Sequence, residues 1–423
     1  MTISEAPPGA LSHCRILDLT EGPLSLCGKL LADLGADVIK IERPGGDASR
    51  HTGPFFRDEP HPEKSLFWWA YNVNKRGITL NIETAAGREL FARLAASADI
   101  VIESLAPGQL ESLGLGHAAL AARNPRLILT SISPFGQDGP KAHHPWSDLT
   151  AWASCGAAYI TGDRDRSPLC MGFIPQLQAQ AASEAMTATL IAHYEREISG
   201  EGQHIDFSIQ ESGIGILQAT VEMWDLARHE YMRSGGSWVA TSGAARRLAF
   251  PCKDGFAILL QGGGGSIRMV QASQSLVKWM DEDGMAPDWL KDFDWVNDYN
   301  ADNVRQETVD RVEACIAPFL LTKTKQEIYR EGWNRGIMIA PVNTMEDIAK
   351  DEQLAARQFW QPIEHPELGA TVTYCGPFAK MSETPLSCRR RPPLVGEHNA
   401  EIYGGELELA ADTLAALAAT GAI

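Results

Sequence analysis

The stretch "RILDLTEGPLSLCGKLLADLGADVIKIE", residues 15–42, decides the fold class of this chain. Its first part, residues 15–20, is a short apolar run that predicts a β-strand. Residues 25–35 show a helical pattern that ends at Gly35, and residues 37–42 predict a second strand. A helix between two short apolar strands is typical of a βαβ unit and favours a parallel sheet.

The same alternation continues through the first 135 residues. The segment "NVNKRGITLNI", residues 72–82, leads into a third strand, and a helix over 84–98 begins with Thr84 as its N-cap. Further strands are predicted over 99–104 and 126–133. Strands that alternate with helices at this spacing indicate an α/β fold with a mostly parallel sheet.

Polar loops follow three of the predicted strands. They are "IERPGGD" (41–47), "IESLAPG" (102–108) and "SISPFGQDGP" (131–140), and each contains Gly and Pro. In open parallel sheets, ligands bind beyond the carboxyl ends of the strands. We therefore expect a ligand site at these three loops.

Three cations lie close to the predicted strands and could bind an anion. Arg43 follows the second strand, and Lys75 and Arg76 precede the third. Arginine offers a forked set of donors and lysine a point charge, and both suit phosphate groups. The alternative for each is an ordinary solvated surface charge. Neither G-x-G-x-x-G nor G-x-x-x-x-G-K-[ST] occurs, so the residues alone indicate an anion-friendly cleft without a nucleotide motif.

The second half of the chain predicts a smaller domain. From Ser234 to about Leu321 the sequence is rich in Gly, Trp and Asp, and "FPCKDGFAILLQGGGGS" (250–266) is typical of a hairpin or strand–loop segment. An ordered pattern resumes over residues 336–360.

A run of four glycines, Gly262, Gly263, Gly264 and Gly265, lies within that segment. It could form a mobile lid that lets backbone approach a ligand, or the flexible tip of a hairpin. The sequence pattern does not decide between the two.

Composition excludes several classes of function. The net charge of −17 argues against a nucleic-acid groove. None of the eight cysteines forms a C-x-x-C pair, so we expect no metal site and no redox framework. No stretch of about 18 apolar residues and no signal-like N-terminus occur, so we expect a cytosolic protein that does not enter a membrane.

Motifs along most of the chain resemble the family III CoA-transferases, the class typified by formyl-CoA:oxalate and carnitine CoA-transferases. The family also includes α-methylacyl-CoA racemase. The matching segments are residues 15–50, 72–104, 107–116, 124–140, 194–212, 336–342 and 392–398.

The resemblance implies an architecture and a reaction. It implies two interlocked chains, each with a Rossmann-like large domain formed by residues 1–225 and 331–423 and a small domain over 226–330. Coenzyme A or acyl-CoA and a carboxylic acid are the implied substrates, without a metal. Arg43, Lys75 and Arg76 fall where family members contact the CoA nucleotide.

Other family positions differ in this chain. The family stretch "HVQAGP" is shortened to "TEGP" (20–23), which removes one customary contact. Ser104 stands where Asn is common, and it is a candidate contact to CoA. Gln137, in the third loop, and the glycine run of residues 262–265 are candidates for substrate contact or for a lid.

The largest difference lies at the family's catalytic position, where an Asp is the nucleophile. Counting back from "SGEGQ" (199–203) places Gln178 there, and residues 171–183 contain no carboxylate. The catalytic His of the racemase falls close to Ser147. A glutamine amide has no anionic oxygen to attack a thioester, although it can donate a hydrogen bond to an oxyanion.

Three hypotheses follow from the resemblance, and whether this chain catalyses alone stays open. We favour a heteromeric CoA-transferase in which a paralogous subunit carries the Asp, as in two-subunit benzylsuccinate CoA-transferases. The second hypothesis is an active homodimer that uses Asp-independent transfer or isomerisation. The third is an acyl-CoA-binding protein without turnover.

Overall fold

The computed structural model describes residues 9–169 and 175–423 of the 423-residue chain, which form two compact units. The described residues within 9–157, 175–228 and 353–423 form the larger unit. The smaller unit contains 158–169 and 229–352. Both ends of the chain thus contribute to the larger unit.

The structure contains strands of three to six residues. In chain order they are β1 (Arg15–Leu19), β2 (Asp37–Glu42), β3 (Arg76–Thr79), β4 (Ile100–Glu103), β5 (Ile128–Ser133), β6 (His204–Ser208), β7 (Ser237–Val239), β8 (Ala245–Arg247), β9 (Ala249–Cys252), β10 (Gly255–Leu259), β11 (Ile339–Pro341), β12 (Trp360–His365) and β13 (Ala370–Cys375).

The α-helices range from single turns to the 24 residues of the helix that begins at Gln176. In chain order they are α1 (Leu26–Asp33), α2 (Leu66–Asn72), α3 (Ala85–Ala96), α4 (Gln109–Ser112), α5 (His117–Ala121), α6 (Asp148–Ser154), α7 (Ala157–Ile160), α8 (Gln176–Ser199), α9 (Ile209–Gly215), α10 (Gln218–Ala227), α11 (Ile267–Glu282), α12 (Asp288–Lys291), α13 (Gln306–Leu321), α14 (Lys325–Arg335), α15 (Met345–Ala349), α16 (Glu352–Ala356) and α17 (Ala411–Ala419).

The larger unit is built on a six-stranded sheet with the order β3-β2-β1-β4-β5-β6. Every neighbouring pair in this sheet is parallel, and Ile16 on β1 lies opposite Val38 on β2 and Ile100 on β4. Parallel pairing brings the carboxyl ends of all six strands to one edge. The predicted α/β class with a parallel sheet is confirmed.

Two apolar layers cover the sheet of the larger unit. On one face, α1 and α8 pack against side chains such as Ile16 and Ile100, and buried alanines at 181, 182 and 185 allow α8 to approach closely. On the other face, Leu90 and Phe91 of α3 pack against Leu17 and its neighbours. Burial on both faces explains why apolar residues make up most of the central strands β1 and β4.

The smaller unit has a separate core. An antiparallel sheet of order β11-β10-β9 packs with α11, α13 and α14, and β7 pairs with β8. Trp279 and Phe319 meet edge to face with their ring centroids 4.9 Å apart. Since β11 pairs with β10, residues 339–341 belong to the sheet of the smaller unit.

Candidate functional site

A cleft of about 350 Å³ opens at the carboxyl ends of β1, β2, β3 and β4. The residues that line it are Leu19, Glu21, Ile41, Glu42, Arg43, Gly46, Asp47, Ala48, Leu80, Asn81, Ile82, Glu83, Leu105 and Gln109. Two of the three polar loops expected to hold a ligand, 41–47 and 102–108, contribute to it. The loop 131–140 supplies none of these residues. The cleft is the candidate functional site of the larger unit.

Carboxylates dominate the charge of this cleft. Glu42 at its floor accepts hydrogen bonds of 2.6 and 2.8 Å from the fully buried guanidinium of Arg50. Lys40, also buried, lies 3.5 Å from Asp47. The floor carboxylates are therefore neutralised by buried cations, whereas Glu21 at the rim is exposed.

Arg43 is the one cation among the described residues that line the cleft. Its side chain is 65% exposed, and its guanidinium lies 3.6 Å from a Glu83 carboxylate oxygen. A contact so exposed contributes little to stability, which leaves the guanidinium able to turn toward an anionic ligand. The predicted contact between Arg43 and the CoA nucleotide stays a prediction.

Lys75 is fully buried and does not line the cleft. Its ammonium group donates to Asp18 Oδ2 at 2.8 Å, to the Ser25 carbonyl at 2.7 Å and to Asn72 Oδ1 at 3.0 Å. Burial lowers the pKa of Lys75 to about 8, although Asp18 acts in the opposite direction. Three internal acceptors satisfy its three hydrogens, and its predicted CoA contact stays a prediction.

Asp18 links this buried lysine to the shortened "TEGP" turn. Its Oδ1 accepts hydrogen bonds from Thr20 N at 2.9 Å and Thr20 Oγ1 at 2.6 Å. The ammonium group of Lys40 donates to the Thr20 carbonyl. The turn that supplies Glu21 to the cleft is therefore fixed by a buried ionic network.

Arg76 lies at the amino end of β3 and so at the edge of the sheet opposite to the cleft. Its guanidinium pairs with Asp37 at 2.6 Å, Glu401 at 2.7 Å and Glu406 at 2.6 Å. Burial lowers the pKa of Arg76, but these hydrogen bonds outweigh it and raise the pKa above its usual value. The residue joins the chain's C-terminal segment to the sheet, and its predicted nucleotide contact stays a prediction.

Ser104 fixes the loop after β4. Its hydroxyl oxygen accepts a hydrogen bond from Glu21 N at 3.0 Å, which joins two loops of the cleft. Just before it, the buried carboxylate of Glu103 accepts from Leu105 N at 2.6 Å. Ser104 is one of the predicted CoA contacts, and that contact stays a prediction. Glu103 is not among them, although an acid at the end of a predicted strand is a usable signal.

Gln137 lies in the third polar loop, residues 131–140, and contacts β6. Its backbone N–H donates to both carboxylate oxygens of Asp206 at 3.0 Å, and its side-chain oxygen accepts from Gly108 N at 3.4 Å. The side-chain nitrogen is buried without a hydrogen-bond partner among the described residues. Its predicted substrate contact stays a prediction.

The glycine run of residues 262–265 packs within the smaller unit. Gly264 N donates to the Trp295 carbonyl at 2.9 Å, and Gly262 exchanges two hydrogen bonds with the Ser273 hydroxyl. A Cβ on Gly263 would overlap the same Trp295 carbonyl, and Gly264 has a φ of +73°. Close approach and backbone conformation therefore explain two of these glycines, and their predicted role in substrate contact or as a lid stays a prediction.

Gln178 lies in the first turn of α8 and is half-buried. Its backbone N–H donates to Asp148 Oδ1 at 3.1 Å. Burial raises the pKa of Asp148, and the bonds from Gln178 oppose the shift. Residues 171–174 of the acid-free stretch lie outside the described residues.

Two absences apply to the described part of the chain. No group of three or more His, Cys, Asp or Glu side chains there is arranged to hold a metal ion. Within the same residues, no helix has both the length and the apolar character needed to cross a membrane.

Comparisons with known proteins assign the chain to a family. Residues 11–399 match the model of CoA-transferase family III. The chain is 34% identical to the succinyl-CoA:(R)-benzylsuccinate CoA-transferase subunit BbsE of Thauera aromatica, over 92% of this chain and 93% of that protein. It is 31% identical to the succinyl-CoA–D-citramalate CoA-transferase of Chloroflexus aurantiacus, over 98% of each.

A solved structure agrees with these matches. The crystal structure of a CAIB/BAIF family protein from Brucella suis superimposes with a TM-score of 0.79 at 26% identity, over 94% of this chain and 99% of that one. The resemblance drawn from the sequence motifs is confirmed.

Proposed function

The chain belongs to CoA-transferase family III, and we propose that it is the non-catalytic subunit of a heteromeric CoA-transferase. The transferases of this family move coenzyme A between an acyl-CoA thioester and a carboxylic acid. In the proposed enzyme, a paralogous chain carries the nucleophilic aspartate and interlocks with this one. The Thauera aromatica relative is itself a transferase subunit, which supports this assembly.

Gln178 is the observation that carries the proposal. The family reaction needs a carboxylate oxygen that attacks the thioester carbonyl, forms a mixed anhydride and releases CoA thiolate. An amide oxygen is uncharged, and the amide nitrogen's lone pair is delocalised into the carbonyl. Gln178 therefore cannot form the anhydride, and its backbone N–H is bound by the carboxylate of Asp148.

Exposed apolar side chains on the larger unit support a partner chain. On the second half of α8, Ile191, Tyr194 and Ile198 are 66%, 71% and 73% exposed. On α10, Trp224 is 51% and Leu226 is 84% exposed. Large apolar side chains this exposed are candidates for contact with another molecule, and an interlocked partner would cover them.

The location of the covalent intermediate tests the proposal. The assembled enzyme, purified from its own host, is mixed with succinyl-CoA, and the intact mass of each chain is measured. We expect the increment of a CoA thioester on the partner chain and none on this chain. An increment on this chain would contradict the proposal.

Substitutions at Gln178 give a second readout in the same assembly. Gln178→Ala should change the transfer rate by less than about twofold, like the control Gln176→Ala on the exposed side of the same helical turn. Gln178→Asp would restore a carboxylate and should create an increment on this chain. A loss of about 100-fold or more in Gln178→Ala, the scale of an oxyanion-hole donor, would refute a silent site.

A second candidate function is an active homodimer without an aspartyl intermediate. The carboxylate of Asp148, hydrogen-bonded to Gln178, favours it because an acid remains beside the family's catalytic position. In that case the acceptor carboxylate attacks the thioester carbonyl and expels CoA thiolate, which then attacks the acceptor's carbonyl in the mixed anhydride and releases the donor acid. Asp148 would hold in place the helical turn that carries Gln178. Asp148→Asn would then abolish turnover of the purified chain, whereas the first proposal predicts no turnover by the chain alone.

A further inference from the structure

A line of polar side chains runs from the loop of the cleft to the outer strand of the sheet. Glu103, the last residue of β4, is 4% exposed and accepts from Leu105 N at 2.6 Å. Ser131 lies opposite Glu103 on the neighbouring strand β5, and its hydroxyl acts to lower the pKa of the Glu103 carboxyl. The same hydroxyl lies 3.0 Å from Nε2 of His204, an exposed residue of the edge strand β6.

The single proton of Ser131 makes this line directional. When Glu103 is ionised, Ser131 can donate to the carboxylate and accept a hydrogen bond from His204 Nε2–H. When Glu103 is protonated, it can donate to Ser131, which then donates to His204 Nε2. Protonation of the buried acid is thereby coupled to the hydrogen-bonding state of a histidine at the surface.

Burial, together with the charges nearby, places the titration of Glu103 near neutrality. Burial raises the pKa of Glu103 to about 7. Ser131 and the Leu105 amide act to lower this pKa. The carboxylates of Glu111 on α4 and Asp206 on β6 act to raise it further.

His204 is affected by the same surroundings. Burial and the stacked ring of His117 on α5, with centroids 5.8 Å apart, lower its pKa, and Glu111 and Asp206 act in the opposite direction. The acid and the histidine thus share their charged neighbours.

We propose that Glu103 is a positioning residue whose ionisation controls, through the Leu105 amide, how tightly the cleft binds the nucleotide part of CoA. The loop that begins at Ser104 carries two lining residues, Leu105 and Gln109. An ionised Glu103 is the stronger acceptor for Leu105 N and holds this loop in place. This inference rests on the proposed function, because it takes the cleft as the CoA site.

Calorimetric titration of the purified protein with CoA between pH 6 and pH 8.5 tests the inference. We expect the Kd to rise about tenfold from pH 8 to pH 6 in the wild type. Glu103→Gln should bind at pH 8 as weakly as the wild type at pH 6, with little further change. The phosphates of CoA change their ionisation over this pH range in the same way for every variant. The difference in Kd between variants therefore reports the effect of Glu103.

Two further variants act as controls. Glu111→Gln removes a neighbouring negative charge, so the pH dependence should remain with its midpoint moved to lower pH. His204→Phe leaves Ser131 without its surface partner. In this variant the midpoint of the pH dependence of Kd should move, while Kd at pH 8.5 stays within about twofold of the wild-type value. A Glu103→Gln protein with the wild-type pH dependence would overturn the inference.

Hydrogen exchange without ligand separates this inference from the proposed function. After correction for the intrinsic rate, protection of the Leu105 amide should fall below pH 7 in the wild type and be low at every pH in Glu103→Gln. If CoA binds at no pH, the proposed function fails, and this exchange pattern still decides whether Glu103 positions the loop. Equal protection in both proteins overturns its positioning role.

Discussion

Replacing Asp18 by asparagine should destabilise the larger unit by about 3–5 kcal/mol, the effect of removing one member of a buried ion pair. Asp18 and Lys75 are both fully buried, with Oδ2 and Nζ 2.8 Å apart. The variant would leave the ammonium groups of Lys75 and Lys40 without this carboxylate. It would also weaken the bonds that fix Thr20 in the shortened turn.

The pH dependence of this difference has a definite sign. The ammonium groups of Lys75 and Lys40 hold the pKa of Asp18 below its usual value, although burial, the largest influence, acts to raise it. The stability from its ionisation is therefore fully present above the pKa of an unfolded aspartate, about 3.9. It is lost as the pH falls through the lower folded pKa. The variant and the wild type should differ most near pH 7 and converge in acid.

Urea unfolding followed by circular dichroism measures the effect. The control Glu89→Gln breaks an exposed ion pair with Arg123 in the same unit, with both side chains about half exposed, and should change stability by less than about 1 kcal/mol. Adding Lys75→Met to Asp18→Asn should recover part of the loss, because one unpaired charge is removed. A loss of unfolding free energy below about 1 kcal/mol in Asp18→Asn would refute the reasoning. So would strictly additive effects of Asp18→Asn and Lys75→Met on that free energy.

Two other predictions concern packing and thiol chemistry. Gly263→Ala should destabilise the smaller unit by about 2 kcal/mol in urea unfolding, because the added methyl overlaps the Trp295 carbonyl. Gly265→Ala should be close to neutral, because a Cβ at that position meets open space. Equal losses of stability in the two variants would contradict this prediction. Burial raises the pKa of Cys14 to about 12. Mass spectrometry after thiol labelling at pH 8 should therefore show that the exposed Cys375 is modified long before Cys14. The reverse order of labelling would contradict the burial of Cys14.

The parallel sheet could be predicted because its information is local. The segments 37–42 and 126–133 are buried along almost their full length and contain several β-branched residues, so their composition and their alternation with helices indicate strands of a parallel sheet. The expectation of a site at the strand carboxyl ends also needs only the order of strands and helices. The division of the chain at 225/226 and 330/331 stays a prediction.

The partners of charged side chains could not be predicted, because they lie far away in sequence. Lys75 is satisfied by Asp18, 57 residues earlier, and Arg76 by Glu401, 325 residues later. Neighbouring letters in "NVNKRG" do not reveal whether a cation faces a ligand or a buried acid. The packing of Gly263 likewise depends on Trp295, which no local pattern connects to it.

The acids at the site were missed for a related reason. Glu103 and Asp148 carry shifted pKa values because of burial, which the residue type does not encode. Asp148 was not among the predicted site residues. Its contact with Gln178 appears only when α6 and α8 come together.

Native mass spectrometry of the protein tagged and isolated from its own host tests the central claim most directly. The account predicts an assembly that contains this chain together with a second, paralogous chain, and transferase activity in that assembly. A species of twice the mass of this chain that transfers CoA by itself would contradict the account.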